Sequence, residues 1–129
     1  MNITVLGIAG GTGSGKTYAA KGLLNEYPQD SILPISMDSY YKDLSHINYK
    51  KRVEQNFDHP DSIDINLLEK HLKQASKGNK INIPIYDFSN HVRLGETLSI
   101  SNAKIIIVEG ILALHFSQLR KLYTLKLFM

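Results

Sequence analysis

Between an apolar run, Ile3 to Ile8, and a helix-patterned segment, Lys16 to Tyr27, stands Gly10-Gly11-Thr12-Gly13-Ser14-Gly15-Lys16-Thr17. No other stretch narrows the fold as far. Glycine, four residues, glycine, lysine and then serine or threonine is the spacing at which backbone N–H groups turn inward around phosphate oxygens. Lys16 then reaches the β- and γ-phosphates, and the hydroxyl of Thr17 binds Mg²⁺. A strand leading in and a helix leading out aim the positive end of the helix dipole at the same anion. A dinucleotide loop is excluded, because Gly13-x-Gly15 is followed by Tyr18 where a third glycine is needed. The expected ligand is a nucleoside triphosphate; a plain strand-to-helix turn would leave the Lys-Thr offsets to chance.

The remaining chain is that of an ordinary globular domain, with 129 residues, 43% hydrophobic and 21% charged. A net charge of +3 with both signs interspersed reads as solvated lysine, so no nucleic-acid partner is expected. There is no cysteine, which rules out disulfides, thiolate metal sites and thiol nucleophiles and fits a reducing compartment. The N-terminus lacks a basic leader region, and no run approaches 18 apolar residues, so neither a signal peptide nor a membrane contact is expected. The expected location is cytoplasmic.

Taken in order, the pattern alternates strands with helices. Ser31 to Met37 reads as a strand in which Pro34 argues for an edge position or a short strand. At its end stands Asp38, where open α/β sheets bind ligands. Leu44 to Gln55 reads as loop with an irregular helix. Asp64 is expected to cap a helix from Ile65 to about Lys77, closed by Gly78, with His71 structural. Lys80 to Ile100 reads as a hairpin with a turn at Gly95, carrying Tyr86, Asp87, Phe88, His91 and Arg93 on its first arm and bend. Lys104 to Val108 reads as a parallel strand buried on both faces and closed by Glu109, placed to complete a Mg²⁺ shell. Ser117 to Tyr123 reads as a short helix, and Leu125 to Met129 as a further strand. The expected fold class is α/β: a three-layer P-loop NTPase sandwich, mostly parallel, with an inserted hairpin. Ending on a strand without its covering helix suggests a chain that lacks further elements.

These motifs, in this order, resemble the uridine kinase (uridine–cytidine kinase) family, relatives of phosphoribulokinase. The resemblance rests on the loop at 10–17, Asp-Ser-Tyr-Tyr-Lys at 38–42, Asn-Phe-Asp-His-Pro-Asp at 56–61, Pro-Ile-Tyr-Asp-Phe at 84–88 with His91 and Arg93, and Val-Glu-Gly-Ile-Leu at 108–112. It implies transfer of a phosphoryl group from ATP, with GTP an open alternative, to the 5′-hydroxyl of uridine or cytidine. Carried over by motif, Asp38 is the general base, with Lys16 beside it in catalysis, and Thr17, Asp38 and Glu109 serve Mg²⁺. Asp58 binds the ribose hydroxyls, and Asp38, Tyr40, Tyr86, Phe88, His91 and Arg93 complete the nucleoside site. A homo-oligomer is implied for the complete protein.

Plainer roles stay open: Asp38 as a cap, Asp58 as a turn residue before Pro60, Tyr86 and Phe88 as hairpin core, His91 and Arg93 as solvated turn residues. Ser62-Ile63 replaces the family's usual Ala-Phe, and the resemblance finds no counterpart here for its lid arginines. Such arginines supply roughly 10³ to 10⁵ in rate elsewhere, so the chain alone is expected to be a poor kinase. The rival readings are phosphoribulokinase or another small-molecule kinase, and a non-catalytic nucleotide-binding module.

Overall fold

A computed structural model describes residues 3–10, 31–57, 59–100 and 104–128. In chain order the described elements are β1 (Thr4–Ala9), β2 (Ile32–Ser36), α1 (Tyr49–Val53), α2 (Ile65–Ser76), β3 (Ile81–Asp87), β4 (Val92–Ile100), β5 (Ile105–Gly110), α3 (Ser117–Arg120) and β6 (Leu125–Phe128). Single 3₁₀ turns occupy Met37–Tyr40 and Pro60–Ser62.

The β-branched runs form one parallel sheet in the order β2-β5-β1-β6. Period-two alternation sends Val5, Leu33, Ile35, Ile106 and Val108 to one face, where they pack with Leu68 and Leu72 of α2 and with Leu119 and Tyr123. Leu6, Ile8, Ile105 and Ile107 form a second cluster with Ile32 and Leu127. Ile106 and Ile8 are both fully buried, so the sheet is closed on both sides. That explains why β5 is uniformly apolar rather than alternating. The sequence places Pro34 at an edge, and β2 is the end strand of the described sheet, with Pro34 exposed.

Gly7 lies in β1 beneath the Tyr123 ring. A Cβ there would sit 2.4 Å from Cε2 of that ring, whose hydroxyl donates to the Ala113 carbonyl at 2.6 Å. The strand and the segment before β6 approach this closely only because position 7 has no side chain.

Helix α2 begins and ends as its sequence dictates: Asp64 accepts the Leu67 N–H at 3.3 Å, and Gly78 follows the last turn at φ 82°. The hairpin β3–β4 is antiparallel, Ile81 pairing with Ile100 and Asp87 with Val92. Its turn comes earlier than expected. Asp87 accepts the N–H groups of Ser89 (3.0 Å) and Asn90 (3.3 Å) and the Asn90 side-chain amide (2.7 Å). His91 takes φ 57°, the left-handed conformation. The Asx-type turn therefore closes at Phe88–His91, and Gly95 lies within β4 rather than at the bend.

Candidate functional site

The carboxyl ends of three adjacent strands define the site. In β5, Glu109 pairs with Ile8 of β1 on one side and Ser36 of β2 on the other. β1 runs directly into Gly10, which is buried; Gly11 to Thr17 lie outside the described residues, as does Asp58. β2 runs into the turn that carries Asp38, whose backbone N–H donates to the Ser36 hydroxyl at 3.3 Å while the residue stays exposed. Gly110 lets this turn close over β5, since a Cβ there would lie 3.1 Å from the Met37 Cβ. The start of the phosphate loop, Glu109 and Asp38 thus share one edge, where parallel sheets take ligands.

Beside that edge lies an aromatic group assembled from three chain segments. Tyr41 stands at its centre, with ring centroids 5.1 Å from Phe57, 5.4 Å from Tyr86 and 6.4 Å from Phe88. Phe57 stacks on His91 at 4.8 Å and 20°. Phe88 is 55% exposed, whereas Tyr86 is 6% exposed. The Tyr86 hydroxyl is nevertheless buried without a hydrogen-bond partner among the described residues. Burial first, then the Asp43 charge, raises its pKa, so it remains a neutral phenol able to donate. A cleft of about 260 Å³ adjoins this group, lined by Lys42, Gln55, Asn56, Phe57, His59 and Asp61 among others.

Two expected contacts sit elsewhere. Tyr40 is wholly buried, its hydroxyl 2.7 Å from Nδ1 of His71. In a 3₁₀ turn adjacent tyrosines point apart, and here the first goes to the core while Tyr41 faces the aromatic group. Arg93 is an internal strut rather than a solvated turn residue: Nε donates to the Tyr41 carbonyl at 3.1 Å and Nη2 to Asp64 Oδ2 at 3.0 Å, while its backbone N–H donates to Asp43 at 3.3 Å. Asp64, which caps α2, therefore also ties the hairpin to the segment carrying Asp38. Sequence reasoning missed Tyr41 and Phe57 as members of the aromatic group; both lie within quoted motifs, and only tertiary pairing distinguishes them from core.

His71 makes the pH response legible. Burial lowers its pKa, with the Lys70 and Arg93 charges acting in the same direction. The folded imidazole stays neutral and hydrogen-bonded to the Tyr40 hydroxyl, while the unfolded side chain takes a proton near 6.5. The unfolded state then binds more protons, so stability falls as pH drops below about 6.5 and gains nothing from this group above it. Denaturant midpoints measured at about pH 7.5 and about pH 5.5 are expected to fall at the lower pH, and His71→Asn to flatten that slope; an unchanged slope in the variant counts against the assignment.

Oxygen donors from Asp38 and Glu109, on neighbouring strand ends beside a phosphate loop, suit a hard cation that shares its shell with phosphate and water. Among the described residues, no three His, Asp or Glu side chains gather into a metal site by themselves. No described helix is long and apolar enough to cross a membrane.

The sequence matches the family described as Phosphoribulokinase / Uridine kinase over residues 5–129. It is 46% identical over 128 residues to a uridine kinase of Clostridium novyi, covering 99% of this chain and 62% of that protein. To a uridine kinase of Streptococcus equi subsp. zooepidemicus it is 43% identical over 124 residues, covering 96% and 60%. The chain thus spans about 60% of the length of these relatives. Among solved structures, a possible uridine kinase from Bacillus stearothermophilus superposes with a TM-score of 0.70 at 18% identity, covering 99% of this chain and 71% of that one. Phosphoribulokinase from Rhodobacter spheroides does so with a TM-score of 0.73 at 9% identity, covering 98% and 50%. At such identities the likeness concerns the fold, which is α/β of the P-loop type with a mostly parallel sheet.

Proposed function

The chain belongs to the phosphoribulokinase/uridine kinase family, and on that premise we propose that it carries the phosphate-loop and nucleoside-binding parts of a kinase that phosphorylates the 5′-hydroxyl of uridine, and of cytidine, in pyrimidine salvage. One observation supports this reading above the others: an exposed carboxylate, Asp38, on the strand end beside the phosphate loop adjoins an aromatic group that holds the unpartnered Tyr86 hydroxyl. Flat rings suit a pyrimidine, and a buried donor without a partner suits a polar ligand atom.

In this reading Lys16 and the loop from Gly10 to Thr17 hold the triphosphate of ATP or GTP. Asp38 accepts the proton of the attacking hydroxyl. Thr17, Asp38 and Glu109 would hold Mg²⁺, which when bound would supply positive charge against that of the phosphates. Asp58 takes the ribose hydroxyls, since a carboxylate pairs well with vicinal hydroxyls. Tyr86, Phe88 and His91 take the base, while Arg93 holds their hairpin in place. The protein works in the cytoplasm as a homo-oligomer.

The test is ADP release from Mg-ATP with and without uridine, comparing this chain with a version extended by the remainder of the Clostridium novyi relative. Uridine-stimulated turnover by the extended protein, with none from ribulose 5-phosphate, is the expected result. Turnover indifferent to uridine would sink the nucleoside assignment; nucleotide binding with no turnover in either protein would favour a binding module.

A further inference from the structure

A second buried polar atom without a partner lies in this region, on a residue that no motif singled out. Arg52, on α1, places its guanidinium carbon 5.7 Å from the centre of the Tyr49 ring, and Tyr49 lies 6.4 Å from the His91 ring that stacks on Phe57. Nη1 donates to the Ile47 carbonyl at 3.0 Å, which fixes the plane of the group. Nε, however, is buried and has no hydrogen-bond partner among the described residues. Leaving a guanidinium N–H both dry and unpaired is costly, and an oriented donor of this kind is usually waiting for an acceptor. The Arg52 charge also bears on the Tyr86 hydroxyl, lowering its pKa against the larger effect of burial.

Resting on the nucleoside reading above, we infer that Arg52 is a substrate-contacting residue, its Nε–H donating with the Tyr86 hydroxyl to a carbonyl oxygen of the bound pyrimidine base. Arginine can only donate and the oxygen of a ring carbonyl can only accept, so the pairing has one polarity. Through Tyr49 the guanidinium joins the row of rings formed by Tyr49, His91 and Phe57. Nothing in the local sequence Tyr-Lys-Lys-Arg-Val marks Arg52 apart from its lysine neighbours; only its turned-in Nε does.

Calorimetric titration of the protein with uridine, and separately with ATP, tests this. Arg52→Met is expected to weaken uridine binding about 10- to 100-fold while ATP binding changes less than about twofold. Arg52→Lys, which keeps the charge but not the Nε geometry, is expected to lose nearly as much. Lys50→Met, which removes a charge from the same helix, is expected to leave uridine binding within about twofold. In the unsubstituted protein the Arg52 Nε–H resonance, assigned through its own side-chain and backbone connectivities, is expected to shift on adding uridine; this reading stands even if both variants fail to fold. Full uridine affinity in a folded Arg52→Met protein, or an Nε–H resonance indifferent to uridine, overturns the inference alone. Absence of uridine binding by the unsubstituted protein overturns it together with the nucleoside reading.

Discussion

Asp38→Asn is expected to lower uridine phosphorylation by roughly 10²- to 10⁴-fold in the protein extended to its relatives' length, the range by which a positioned proton acceptor accelerates such a step. The substitution keeps the shape of the side chain and leaves the turn intact, because that turn is anchored by the Ser36 hydroxyl accepting the Asp38 backbone N–H. Stability should therefore change little, and the loss should fall on kcat. Ser36→Ala supplies the contrast. It removes the anchor and keeps the carboxylate, at a cost of about 0.5–2 kcal/mol of stability. Single-turnover kinetics of both proteins decide the matter: if Asp38→Asn retains activity within about threefold, Asp38 is only a turn residue and the proton goes elsewhere.

Gly7→Ala is expected to be the most damaging small substitution in the core. The added Cβ would lie 2.4, 2.5 and 2.8 Å from Cε2, Cδ2 and Cζ of Tyr123. That ring is 8% exposed and held by its hydroxyl on the Ala113 carbonyl. It can escape only by breaking that bond or by moving the segment away from β1. Overpacking costs about 1–3 kcal/mol and a stranded buried carbonyl about 1–3 kcal/mol more, so a loss of about 2–6 kcal/mol is expected. Tyr123→Leu should be destabilising alone yet should reduce the cost of Gly7→Ala, giving a coupling of more than about 1 kcal/mol in a double-mutant cycle. Strict additivity in denaturant unfolding would show that the clash is relieved by another route.

Much of this architecture was readable from local signals. Pro34 lacks an N–H and therefore belongs at an edge; Asp64 and Gly78 bracket a helix because one offers an acceptor and the other tolerates positive φ; the run Ile105 to Val108 needs cover on both faces. Each rule acts within a few residues. The errors lie where a distant contact decides. In the pair Tyr40-Tyr41 sequence gives no means of knowing which ring turns inward, since His71 awaits one and Phe57 and Tyr86 the other. Arg93, expected in the nucleoside site, pairs instead with Asp64, supplied by another segment. Gly95 suggests a bend, yet Asp87 closes the turn earlier by accepting two backbone N–H groups. Arg52 was invisible for the same reason: what distinguishes it is the loss of solvent around one nitrogen.

The strand order carries a consequence for how such a chain must be made. β1 and β2 leave the ribosome before β5, yet they are not neighbours, because β5 inserts between them and pairs with both along its length. Until Ile105 to Gly110 have emerged, the two earlier strands have no shared partner, and the spacing between the phosphate loop and Asp38 has no template. Long-range parallel pairing of this kind is slow to nucleate and leaves unpaired edges exposed meanwhile. Until β5 has emerged, the nascent chain therefore carries the two halves of its proposed reaction centre unassembled, and that one strand brings them together.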